Sequence, residues 1–98
     1  MNTFFLFGKY SVEAVKGIHP ERTAKAIKII EKTGGKIKGM YALLGDYDLV
    51  LIVEGTDMDK IVRMSVDLFS ITGIHFSTFP AMTVEYFDML LSKKEKAV

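Results

Sequence analysis

Two runs in this chain are apolar at every consecutive position, Phe4-Phe5-Leu6-Phe7 and Leu49-Val50-Leu51-Ile52-Val53. Successive side chains of a β-strand point to opposite faces of its sheet, so a strand built on either run carries large apolar groups on both. An antiparallel sheet with helices on one face and water on the other would instead alternate apolar and polar residues. Phe5 and Phe7 lie opposite to Phe4 and Leu6, and two phenylalanines alone carry ~300–500 Å², comparable with the largest apolar patch of a typical monomer. Both faces of the sheet must therefore be covered. A chain of 98 residues buries less than about two thirds of its unfolded surface, and it has little material for a second layer. The economical solution is a second copy packed sheet to sheet, an isologous homodimer in which the same patch is used twice.

The remaining pattern supplies one layer of helices. Thr3 to Tyr10 reads as the first strand, closed by the polar Ser11. Pro20 suits a first helical position. Ala24, Ile27 and Ile30 recur at helical spacing, with Glu21, Arg22, Lys25, Lys28 and Lys32 on the other side. Thr33-Gly34-Gly35 stops that helix. Lys36 to Leu44 and Tyr47 to Glu54 read as strands two and three. Gly55-Thr56-Asp57 offers a helix cap, and the stripe Met58, Ile61, Val62, Ser65, Val66, Leu68 and Phe69 marks the inward side of a second long helix. Gly73 breaks the chain before a fourth strand, Ile74 to Phe79. Thr83 can cap a last helix with the stripe Val84, Phe87, Leu91 and a charged end at Lys93-Lys94-Glu95-Lys96. The order βαββαβ with right-handed crossovers gives an α+β, ferredoxin-like antiparallel sheet plus a C-terminal helix. Two such sheets face to face make a dimeric α+β barrel. Residues 1–98 read as a single domain.

Several function classes fall away on composition. A net charge of +1 gives no electrostatic reason to expect nucleic acid or an acidic membrane. With no cysteine there is no thiolate nucleophile, disulfide or cysteine-ligated cluster. The opening apolar run of four residues has no basic flank and is too short for a signal segment or a membrane span. The expectation is a cytoplasmic protein.

The stretch Leu44-Gly45-Asp46-Tyr47-Asp48 sets a polar knot between two strands. Gly45-Asp46 suits a two-residue type II′ hairpin with Leu44 and Tyr47 facing each other, because glycine takes the positive φ of the first central position. That accounts for Gly45 and Asp46 but leaves Asp48, a carboxylate one step into an apolar strand. It must either accept hydrogen bonds from backbone donors near the turn or line a cleft.

Gly45-Asp46-Tyr47-Asp48 followed by Leu49 to Glu54 resembles the signature of the GYD domain family. The similarity extends to Lys9-Tyr10, His19-Pro20-Glu21-Arg22, Thr33-Gly34-Gly35-Lys36 and the end from Phe79 to Leu91. The resemblance implies dimeric α+β barrels of ferredoxin-like halves, with no biochemical function attached. More loosely, Gly45 and Asp48 match a Gly-x-x-Asp turn in the effector-binding domain of Lrp/AsnC-type regulators. That resemblance implies a role in holding an amino acid at a subunit interface. Those regulators carry a helix-turn-helix ahead of this domain. Here the first strand starts at residue 3, so direct DNA control is not expected.

The other candidates are weaker. In the fourth strand His75, Ser77 and Phe79 share one face, and His75 would reach the partner side if the more apolar set met the helices. His19 precedes Pro20 as a residue of a helix start. The two histidines form no His-x-x-x-His pair, and Asp57-Met58-Asp59 lacks the glycine and terminal glutamate of a calcium loop, so no metal is expected. Gly34-Gly35 has neither phosphate-loop nor dinucleotide spacing, so no cofactor is expected. The lysine stripe of the first helix reads as a solvated face, and Leu49 to Val53 offers none of the strand aromatics of RNA readers.

The expectation is a non-catalytic small-molecule-binding or regulatory homodimer with its ligand at Gly45, Asp46, Tyr47, Asp48 and His75. The alternative is a small cofactor-free enzyme of the dimeric barrel type with His75 as acid and base.

Overall fold

A computed structural model describes residues 2–96. Strand β1 (Thr3–Tyr10) leads into a short helix α1 (Val12–Lys16), then α2 (Pro20–Lys32), β2 (Lys36–Ala42), β3 (Leu49–Glu54), α3 (Met58–Thr72), β4 (Ile74–Ala81) and α4 (Val84–Lys96). The four strands form one antiparallel sheet in the order β2-β3-β1-β4. This is the ferredoxin-like α+β architecture, with α2 and α3 on one face.

Strand pairing fixes which side chains share a face. Phe4 lies opposite Val53 and Leu6 opposite Leu51, and all four are buried beneath the helices with Ile30, Ile61, Met64 and Leu68. A buried side chain of this size contributes about 1.5–3 kcal/mol, so this cluster dominates the stability of the fold. On the reverse face Phe5 pairs with Ile52 and Phe7 with Val50.

Local chemistry sets the helix ends. His19 caps α2, its Nδ1 accepting from the Glu21 N–H at 3.1 Å, with Pro20 in the first turn. Asp57 caps α3 through Lys60 N–H at 3.0 Å, and Thr83 caps α4 through Tyr86 N–H at 3.1 Å. Gly73 ends α3 in the left-handed region at φ 73°, where a side chain would be strained.

Between Tyr10 and Pro20 the Ser11 hydroxyl accepts from Ala14 N–H and caps α1. Three sequence expectations need correction. The buried positions of α2 are Ala26 and Ile30, with Ile29 packed against the core, whereas Ala24 is exposed. In α3 the stripe is rotated. Met64 is wholly buried beside Ile61 and Leu68, while Val62 and Val66 are 57% and 59% exposed and Met58 and Phe69 also face out. A broad apolar arc permits several rotations about the helix axis, and the sheet's Leu51–Leu6 ridge selects one. The hairpin is not two residues long: pairing ends at Ala42 opposite Leu49, leaving residues 43–48 as the connection. The charged run from Lys93 to Lys96 forms the last turn of α4.

Helix α4 stands off the rest of the chain. Every residue from Val84 to Ser92 is exposed. The radius of gyration is 15.6 Å and the longest dimension 55 Å, against about 13 Å for the radius of a compact domain of this length. Across a cleft of about 880 Å³, Tyr86 and Phe87 look toward Phe4, Met58 and Pro80. These neighbours belong to the helix side of the sheet, so α4 leaves the opposite face uncovered.

Candidate functional site

Residues 43–48 form a loop anchored at its second end. Leu43 N–H donates to the Asp48 carbonyl at 2.8 Å, and Asp48 N–H donates to the Gly8 carbonyl at 2.9 Å. Asp48 Oδ2 accepts from Tyr10 N–H at 2.9 Å. The carboxylate thus replaces a missing ladder partner where β1 outruns β3, and this is the backbone-donor role open to it from sequence. Gly45 supplies a positive φ of 135°, with no atom near a would-be Cβ. Leu44, Gly45 and Asp46 form an exposed tip.

Tyr47 turns the other way. Its ring lies 5.2 Å from that of Phe7, which is 5.8 Å from Phe79 and 6.4 Å from Phe5. The four rings make an aromatic patch on the reverse face of the sheet, with Phe79 half exposed. Ring separations of 4.5–7 Å are those of favourable aromatic pairs, so the four rings support one another across the patch.

His75 lies elsewhere. Ile74 is buried, Phe76 packs on the core and the Thr78 hydroxyl meets Ser65 of α3 at 3.2 Å, which leaves Ser77 and Phe79 on the reverse face. His75 alternates with them along the edge strand opposite Lys9, but its ring turns around that edge to lie 4.2 Å from Phe69 of α3. Its imidazole makes no hydrogen bond among the described residues. Asp48 and His75 flank β1 from its two sides, one reached through β3 and the other through β4. Tyr47 and Asp48, although adjacent, point to different partners. Among the described residues no group of three or more His, Asp or Glu could hold a metal, and no helix is long and apolar enough to cross a membrane.

Sequence reasoning missed Arg22. Read as part of the solvated side of α2, it is half-buried. Its Nη1 donates to the Ala14 carbonyl at the end of α1, and its guanidinium lies over the Tyr10 ring, 5.7 Å from the centroid. The recoverable signal was Ser11, a cap residue three positions before Ala14. Without α1, nothing in the sequence directs a helix-start arginine inward.

The GYD domain family matches residues 4–91 of this chain. Among curated proteins none matches it in sequence. Solved structures with a similar fold include the leucine response regulatory protein LrpA of Mycobacterium tuberculosis, with a TM-score of 0.54 and 10% identity over 84% of this chain and 51% of that one. A mutant of Rv3291c is similar at a TM-score of 0.55 and 10% identity, over 85% and 51% respectively. The chain spans about half the length of these structures, and identities so low establish a common fold.

Proposed function

This chain belongs to the GYD domain family, and we propose on that footing that it acts as a single-domain homodimeric module that binds a small molecule for regulation and performs no chemistry of its own. Its place of action in this reading is the cytoplasm. The observation that carries the proposal is the aromatic patch of Phe5, Phe7, Tyr47 and Phe79 on a sheet face that neither the helices nor α4 covers. Four strands at about 4.8 Å spacing and six to eight residues at about 3.3 Å each present a face of roughly 20 × 25 Å. Once side-chain relief is included, such a face approaches the ~800 Å² per partner of a standard stable interface. Packing two of these faces removes both patches from water at once.

A ligand in this reading contacts Gly45, Asp46 and Tyr47 of the loop at the rim of the paired faces and His75 at the β4 edge, with Asp48 holding the loop to β1. A native mass spectrum of the gently purified protein tests both parts. The expected result is a dimer mass, with any retained small molecule as added mass. Phe7→Asp, which sets a carboxylate against its own copy at the centre of the face, is expected to give monomers. A wild-type monomer at micromolar concentration, or a dimer unaffected by Phe7→Asp, would overturn the proposal.

A further inference from the structure

A second site lies on the helix side of the sheet. Between α2, α3 and the ends of β1 and β4 is a cavity of about 60 Å³ with Ala26, Leu51, Leu68 and Ile74 in its wall and Tyr10, Arg22 and Thr23 at its rim. The wall residues are buried, whereas Tyr10 and Arg22 are half-buried and Thr23 is exposed, so the opening lies on the rim side. The polar group deepest in the wall is already satisfied: Thr72 Oγ1 donates to the Leu68 carbonyl and accepts from Ile74 N–H. The interior therefore offers apolar surface and a mouth with one fixed cation. Arg22 makes no ion pair among the described residues, and its single side-chain hydrogen bond goes to the Ala14 carbonyl. A guanidinium has five N–H donors in a fixed fork. Held by the Tyr10 ring and the α1 carbonyl, it has donors left for an anion.

We infer that this cavity binds a short aliphatic monocarboxylate, its carboxylate on Arg22 and its hydrocarbon tail between Ala26, Leu68 and Ile74. An empty apolar cavity of about 150 Å³ accepts benzene. On that scale 60 Å³ takes two or three carbons, which with the carboxyl at the rim gives propionate or butyrate. The lining contains no acidic residue, so an α-ammonium group gains no anionic partner and is repelled by Arg22. A plain acid is preferred to the corresponding amino acid. The loop signature reaches this site indirectly, because Asp48 fixes the backbone of Tyr10, whose ring carries the guanidinium. Asp48 is thus a positioning residue here. The inference does not rest on the open sheet face or on the dimer.

The test is a titration of the 98-residue chain with sodium butyrate, followed by amide chemical shifts against matched sodium chloride. Saturable shifts centred on Tyr10, Thr23, Ala26 and Thr72 are expected in the millimolar range usual for so small a ligand. Butylamine and 2-aminobutyrate are expected to bind at least several-fold more weakly. Arg22→Gln should weaken butyrate about ten-fold or more, as for loss of a charge-assisted hydrogen bond. Ala26→Val should fill the cavity and abolish binding while the chain stays folded by circular dichroism, so the question is decided even if the arginine variant folds poorly. No saturable shift with butyrate, shifts centred on residues 43–48, or undiminished binding by either folded variant would overturn the inference. The dimer mass is indifferent to all of these results, so this site and the paired-face reading fail separately.

Discussion

Replacing Asp48 by alanine separates a structural carboxylate from one held in reserve for a ligand. In the folded chain Oδ2 accepts from Tyr10 N–H at 2.9 Å, and the residue's own N–H and carbonyl are engaged with Gly8 and Leu43. Alanine keeps the two backbone bonds and removes the carboxylate, leaving the Tyr10 N–H without its protein partner. A hydrogen bond to a charged group is worth about 1.5–3 kcal/mol. Asp48 and Tyr10 are both half-buried, so water recovers part of the loss and the expected cost is about 1–2 kcal/mol. For a unit of this length each kcal/mol lowers the melting temperature by about 4–5 °C, a fall of about 4–10 °C. Asp48→Asn retains an oxygen acceptor without the charge and should fall between. The assay is thermal unfolding by circular dichroism at one fixed protein concentration, since dimerisation would make the midpoint concentration-dependent. A change below about 1 °C for Asp48→Ala would refute the strand-end role and return the carboxylate to the list of groups awaiting a ligand.

Leu68→Ala should cost about 2–5 kcal/mol in urea unfolding, toward the upper end because Leu68 is wholly buried and borders an existing cavity that the deletion would enlarge; a loss under about 1 kcal/mol would mean that α3 does not close the core. Gly73→Ala should lower stability by about 1–2 kcal/mol, because residue 73 sits at φ 73° and a Cβ there would come within 3.0 Å of the Ser11 Oγ that caps α1; an unchanged melting temperature would contradict that geometry.

Much of this fold is written in local sequence. Two-sided apolar runs define β1 and β3, Pro20 and Thr33-Gly34-Gly35 bound α2, and Gly55-Thr56-Asp57 and Gly73 bound α3. Each rests on interactions within a few residues, the scale on which sequence patterns act. The two-sided character of Phe4 to Phe7 also revealed an unfilled requirement, and Phe5 and Phe7 do stand on a face that the described residues leave open. What needed the tertiary structure involves pairs distant in sequence. The rotation of α3 that buries Met64 and exposes Val62 is chosen by the sheet beneath it. The six-residue connection replaces a two-residue turn because Asp48 is drawn to Gly8 and Tyr10, 40 and 38 positions away. Arg22 is turned inward by a five-residue helix too short to show periodicity, and Tyr47 and Asp48 are split between two faces by strand pairing. Sequence periodicity specifies that a face is apolar. Which neighbour meets each of its residues is settled by packing and by backbone groups seeking partners across the sheet.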